Sequence, residues 1–359
     1  MIIAQVRVPL EQLPTGKRGC TSARHDVTNI IQSMIVGGDV GGTKTLLGVF
    51  EPAAPRPRLV GTRSYVTNRY GSLVEILAEF DRAVGRTGAV DAAAVGVAGP
   101  VIGGISRLTN VTWDISAAEI AAHLGTPRVA LLNDLEAMAM SVEVLTADEV
   151  AVLQAGAARA DGNAAVIAAG TGLGQAYLHR VNGRLRPVPS EGGHADYAAR
   201  TDREIELVKT LRDQFGRVEV EQVLSGPGLV NLHRFTHRGG ECEMLEGVSD
   251  ADAPARISQA GLGGRCQQCV EALRMFVSAY GAEAGNLALR AVATAGLYVG
   301  GGIAPKILPA LKTGTFMDAF RAKDPLRELV EKVPVKVILN PEAGLVGAAV
   351  RAQDIMMRT

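Results

Sequence analysis

A chain of 359 residues is longer than one hydrophobic core usually organises, so two domains are expected. Its 37 Lys and Arg equal its 37 Asp and Glu, which argues against the basic face that a nucleic-acid partner requires. No uninterrupted apolar run reaches membrane-spanning length, and four cysteines are too few for a disulfide scaffold and suit a reducing cytosol.

Residues 1–33 carry scattered charges and neither the apolar stretch nor the small-residue cleavage site of a signal peptide. They read as a flexible N-terminal extension, an added leader or a mis-called start, with Met34 directly before the first strong strand. The first strong pattern is "GGDVGGTKTLLGVF", 37–50, after the apolar Met34-Ile35-Val36. It is not a P-loop, because Thr43 separates Gly42 from Lys44 and no helix start follows. Gly38, Gly41 and Gly42 also miss the dinucleotide spacing. What remains is strand, tight turn, strand, with glycines that let backbone N–H groups approach an anion. These residues alone do not separate that turn from a plain hairpin.

In "GSLVEILAEFDRAVG", Ser72 and Glu75 have capping-box spacing, and Leu73, Ile76, Leu77, Phe80 and Val84 share one helical face. Buried strands follow at 91–101 and 128–134, and "LEAMAMSVEVL" continues the second as a helix. "NAAVIAAGTGLGQAYLHRV", 163–181, repeats the opening form of strand, glycine turn and strand. Helical patterns occupy 202–215, 225–237 and 266–292, and "AGLYVGGGIAPKIL", 295–308, runs a third apolar strand into glycines. The repeat suggests duplicated α/β domains facing one another across a cleft. Cys266-Gln-Gln-Cys269 invites a zinc or redox reading, but only Cys242 is near it in sequence and the context is helical. Structural or incidental thiols are expected there.

Taken together, these segments resemble the bacterial glucokinases, of the sugar-kinase, heat-shock and actin superfamily. The resemblance rests on "GDVGGTK", "LTNVTWDIS", "LLNDLEAMAM", "AGTGLGQAYL", "PSEGGHADYA", "VEQVLSGPGLVNLHR", "GNLAL", "GGGIAPKIL" and "NPEAGLVGAA", in the family's order over nearly everything after residue 33. It implies an α/β, two-lobed, actin-like (ribonuclease H-like) ATPase fold. The small domain would span 34–133 plus 342–359 and the large domain 134–341.

The same resemblance implies ATP-dependent phosphorylation of glucose at its 6-hydroxyl, with Asp134 as general base. Sugar contacts fall to Asn110, Asn133, Asp134, Glu191, His194 and Glu221. Phosphate contacts fall to Gly41, Gly42 and Thr43 in one turn and to Gly170, Thr171 and Gly172 in the other, through backbone N–H groups. Gly300, Gly301 and Gly302 would meet the adenosine, and Asp39 would hold Mg²⁺ through water. Glu219 matches no motif position and reads as surface; Trp113 reads as packing. Lys44 stands where this glucokinase branch carries asparagine and resembles the related repressor/kinase family, whose cysteine-rich zinc motif is absent here. The expected partners are glucose and ATP, with no nucleic acid and no membrane, and a cytoplasmic homodimer is implied. The rival readings are a same-fold kinase for another hexose or a polyphosphate donor, and a catalytically silent sugar sensor.

Overall fold

The computed structural model describes residues 33–108 and 111–357. Asn110 and all of the N-terminal extension except Ser33 therefore lie outside the described residues. From Ser33 onward the chain forms one compact unit containing two large sheets.

The first sheet begins with the opening hairpin, β1 (Ile35–Val40) and β2 (Lys44–Glu51), followed by β3 (Arg58–Val66). Next come α1 (Leu73–Val84), β4 (Ala92–Val97), the short β5 (Val101–Ile102), β6 (Ile105–Arg107) and β7 (Asp114–Ser116), then α2 (Ala117–Leu124) and β8 (Val129–Asn133). The strand order is β3-β2-β1-β4-β8, with β5, β6 and β7 forming a separate small sheet. Every residue of β4 is buried, as expected of a central strand covered on both faces. α1 forms where its sequence pattern places it. Ser72 accepts the Glu75 N–H as N-cap, Gly85 closes the helix in the left-handed conformation, and Leu73, Ile76, Leu77 and Phe80 face the core. Fully burying a side chain such as Phe80 contributes about 1.5–3 kcal/mol.

The chain continues through α3 (Asp134–Ser141), β9 (Val150–Gln154), β10 (Ala164–Ala169), β11 (Leu173–Val181) and β12 (Arg184–Ser190). Four helices follow: α4 (Asp202–Phe215), α5 (Gly226–Thr236), α6 (Ala253–Leu262) and α7 (Gln267–Ala291). β13 (Gly296–Gly300), α8 (Leu308–Leu311), α9 (Thr315–Arg321), α10 (Arg327–Lys332), β14 (Val335–Ile338) and α11 (Ala343–Met356) complete the described chain. The second sheet has the order β12-β11-β10-β13-β14-β9.

Its first five strands reproduce the plan of the first sheet: two antiparallel pairings and then two parallel ones. Strand β9 adds an antiparallel edge. The plan also places a helix after the fifth strand in each half, α3 after β8 and α11 after β14. α3 packs on β4 and β8 of the first sheet and on β10, β11 and β12 of the second, while α11 lies on β1 and β4. The two helices cross so closely that a Cβ on Gly347 would lie 1.6 Å from the Ala137 carbonyl oxygen, so no larger residue fits there.

Candidate active site

Both glycine turns are closed by a backbone hydrogen bond, although the second is one residue shorter than the first. In the β1–β2 turn the Gly41 N–H donates to the Lys44 carbonyl at 2.9 Å; in the β10–β11 turn the Gly170 N–H donates to the Gly172 carbonyl at 2.8 Å. Those two amides are engaged in closing their own turns. For Gly41 and Gly170 this corrects the expectation that all six turn residues offer an N–H outward. The Leu173 N–H is also engaged, donating to Glu221 Oε2 at 2.7 Å.

Tyr280, fully buried on α7, fixes the base of the second turn. Its hydroxyl accepts the Ala169 N–H at 3.1 Å and lies 3.3 Å from the Gly300 carbonyl. The ends of β10 and β13 are thereby tied together under both glycine segments. No spacing in the sequence marks this role; a lone tyrosine on an apolar helical face was its only signal.

Asp39 is the penultimate residue of β1, paired with Leu46 on one side and Gly96 on the other. Its carboxylate lies over the start of α11, where a Cβ on Gly344 would sit 2.8 Å from Oδ2. Burial raises its pKa to about 6, the charge of Asp134 adds to the rise, and Lys44 opposes it. Lys44, exposed at the start of β2, thus acts on the carboxylate at the other end of the turn.

Asp134 opens α3 immediately after β8. Asn133 is the N-cap: its Oδ1 accepts the Leu135 N–H at 2.8 Å, and Glu136 Oε2 accepts the Asn133 N–H at 3.0 Å. This reciprocal cap fixes the direction in which Asp134 leaves the helix. Asp134 Oδ1 also accepts the Leu135 N–H at 2.8 Å. The residue is open to solvent, yet the protein around its carboxyl raises its pKa, with its own and the Leu135 N–H pulling the other way. A carboxylate raised in pKa and still accessible is a better proton acceptor than an ordinary surface aspartate.

His194, Glu219 and Glu221 come together in space. One ligand atom of each lies within 4.8 Å of the others. His194 Nδ1 is 3.2 Å from Glu219 Oε2, and Arg217 braces the pair, donating to Glu219 at 3.0 Å and to the His194 carbonyl at 2.8 Å. Glu219 is thus a half-buried partner of His194 and not a plain surface residue. Glu191 is exposed and heads the short turn at Gly192–His194. Trp113 packs against the first core and donates its indole N–H to the Tyr70 carbonyl at 2.8 Å, as a packing residue should.

Beside the second turn lies a cavity of about 790 Å³, lined by Gly170 and Thr171, by α5 and α6, and by Gly302, Ile303 and Ile307. Of the three glycines after Val299, Gly302 faces this cavity. Gly301 has φ 82° and runs so close to the Ala169 carbonyl that a Cβ would sit 2.3 Å away. Gly300 is buried at the end of β13, with Met138 Sδ 2.5 Å from where its Cβ would be. Its place is set by packing, not by contact with the cavity.

Two sheets of one plan, each with a glycine turn, and a helix packed between them make the actin-like fold of the two-domain sugar kinases. The glucokinase family model matches residues 36–355. A glucokinase of Trichormus variabilis is 35% identical over 338 residues, covering 89% of this chain and 99% of its own. The crystal structure of a glucokinase from an Antarctic psychrotroph superposes with a TM-score of 0.81 at 28% identity, over 90% of this chain and 99% of that one. A repressor/kinase-family glucokinase from Streptomyces griseus, solved with glucose and AMPPNP, shares the fold with a TM-score of 0.62 at 21% identity, over 90% and 100%. The chain belongs to the glucokinase family.

Proposed function

We propose that this protein transfers the γ-phosphoryl group of ATP to the 6-hydroxyl of glucose, with Asp134 as general base. The observation that carries the reading is Asp134 itself, capped into position by Asn133 and Glu136, raised in pKa and open to solvent at the head of α3. It would accept the hydroxyl proton as that oxygen attacks phosphorus. Asn133 engages its side-chain oxygen in the cap, so its amide NH₂ is the group it would offer to sugar. His194, oriented by Glu219, would present its Nε2 to a sugar hydroxyl, and Glu191 and Glu221 would supply acceptors. Asn110 belongs to the same set by resemblance.

The cavity fits a nucleotide in volume and in character. Pro227, Leu229, Ile303 and Ile307 offer apolar walls for a flat base, and Asp250 and Ser258 offer polar groups for hydroxyls. Gly42, Thr43, Thr171 and Gly172 would direct their N–H groups at phosphate oxygens, the amides of Gly41 and Gly170 being engaged within the turns. A divalent cation at Asp39 would offset what raises its pKa, the surrounding protein and the charge of Asp134. Mg²⁺ bound there would neutralise charge on the transferring phosphate. The two sheets with their helices would form the lobes 34–133 plus 342–359 and 134–341, in a cytoplasmic homodimer. No helix among the described residues is long and apolar enough to cross a membrane.

The test is Asp134→Asn, which keeps shape but cannot take the proton. General-base assistance is worth about 10²–10⁴ in rate, so kcat should fall by that factor while calorimetry still detects glucose binding. Near-normal turnover would sink the assignment. A wild-type chain that binds glucose without turnover on any donor would instead be a sensor.

A further inference from the structure

A cluster of sulfur and imidazole lies outside everything assigned above. α5 carries His233 and ends at its C-cap His237, one turn later. The loop that follows contains Cys242, and α7 starts after its N-cap Cys266, with Cys269 in its first turn. Read along the chain, the Cys266/Cys269 pair lacks partners, because the histidines sit on another helix. The fold supplies them. A ring nitrogen from each of His233 and His237 and the sulfurs of Cys242 and Cys269 all lie within 4.8 Å of one another.

The individual geometry suits a metal. The Cys242 and Cys269 sulfurs are 4.0 Å apart; Cys266 Sγ, 3.4 Å from His237 Nε2, stands just outside the set of four. With Zn–S near 2.3 Å and Zn–N near 2.0 Å, tetrahedral ligands stand roughly 3.3–3.8 Å from each other. The sulfur pair already stands close to that spacing, and any pair near the 4.8 Å limit would draw in by roughly 1 Å on binding the ion. His237 Nδ1 lies 2.9 Å from the His233 carbonyl, and donating to it would fix the tautomer and leave Nε2 with its lone pair facing the sulfurs. His233 is 5% exposed, and its Nε2 has no hydrogen-bond partner among the described residues. A buried polar atom without a partner is costly, and a metal ion would satisfy it.

We propose that His233, His237, Cys242 and Cys269 bind one structural zinc ion that ties the end of α5, the loop after it and the start of α7 together. This site is separate from the catalytic residues, and it stands or falls independently of the kinase reading. Its consequence reaches the nucleotide cavity, because Leu229, Val230 and Arg234 of α5, Asp250 and Ala251 of the loop, and Pro254 of α6 line that wall.

The deciding measurement is the zinc content of the full-length protein purified without chelator, read by plasma mass spectrometry. About one zinc per chain is expected. Cys242→Ser, at a half-buried position, should lose it, and Cys266→Ser should keep it. Because a variant of a buried ligand can misfold, cobalt(II) added to the metal-stripped wild-type chain gives a second readout. Thiolate-to-cobalt charge transfer with tetrahedral ligand-field absorption is expected. A metal-free chain that gives no such bands overturns the site. So does zinc that survives Cys242→Ser, zinc lost with Cys266→Ser, or a Cys242–Cys269 disulfide in the freshly purified protein.

Discussion

Asp39 carries a conflict that pH can expose. Its pKa is about 6 in the folded chain against 3.8 ordinarily, chiefly because burial disfavours its charge. Between those two values the folded state holds the proton more tightly than the unfolded state, so stability falls as pH rises through that window. Above pH 6 the buried charge is present at full cost; below about 3.8 it is absent from both states. Asp39→Asn should therefore raise Tm at pH 7.5, with the gain shrinking towards nothing at pH 4, in calorimetric scans without added Mg²⁺. An equal gain at both pH values would show that charge is not the cause. Glu219 offers a second residue-scale test. As the partner that orients His194, its change to Gln should raise the glucose KM several-fold while kcat moves much less. An unchanged KM would mean that His194 needs no such support. Glu221 carries a tie beyond the sugar contact that its motif implies. It holds the Leu173 N–H of the second turn, so Glu221→Ala should raise the ATP KM as well as the glucose KM. A change confined to glucose would separate it from the turn.

Among elements, the α3–α11 crossing has no room for an added carbon at Gly347. Gly347→Leu would drive side-chain carbon into the Ala137 backbone, and separating the helices would also shift Asp134 and Gly344 at their N-terminal ends. The expected outcome is insoluble protein, or a loss of more than about 3 kcal/mol by urea denaturation. Gly88→Ala, with nothing within 4 Å of the added carbon, is the matching control and should be silent. Much at this scale was legible beforehand. The α1 cap and face, both hairpins, and the helices at 202–215, 225–237 and 266–292 follow from spacing and turn chemistry, which act over a few residues. β14 escaped notice, since four residues, Val335–Ile338, carry too short an alternation to stand out.

For the whole molecule, the proposed lobes imply closure around the sugar, which would exclude water from the phosphoryl group. Small-angle scattering should show a smaller radius of gyration on adding glucose, and no such change with a sugar that the enzyme does not phosphorylate. An identical radius with and without glucose would argue for a cleft already closed. The duplicated sheet plan was readable as a repeat of strand, glycine turn and strand, because each hairpin is local and its glycines mark it. The family segments that contain Asp134, His194 and the glycine turns were likewise legible as motifs.

Which groups meet across those elements was decided elsewhere. Glu219 reaches His194, Asp39 lies over Gly344, Tyr280 lies under two turns, and His233 and His237 face Cys242 and Cys269. Sequence by itself determined the turns, caps, helical faces and family motifs, because backbone conformation and amphipathic period are set by near neighbours. Only the tertiary structure decided these pairings and the pKa values they produce. Hydrogen bonds, Coulomb forces and desolvation depend on separation in space, and that separation is fixed only when sheets and helices pack.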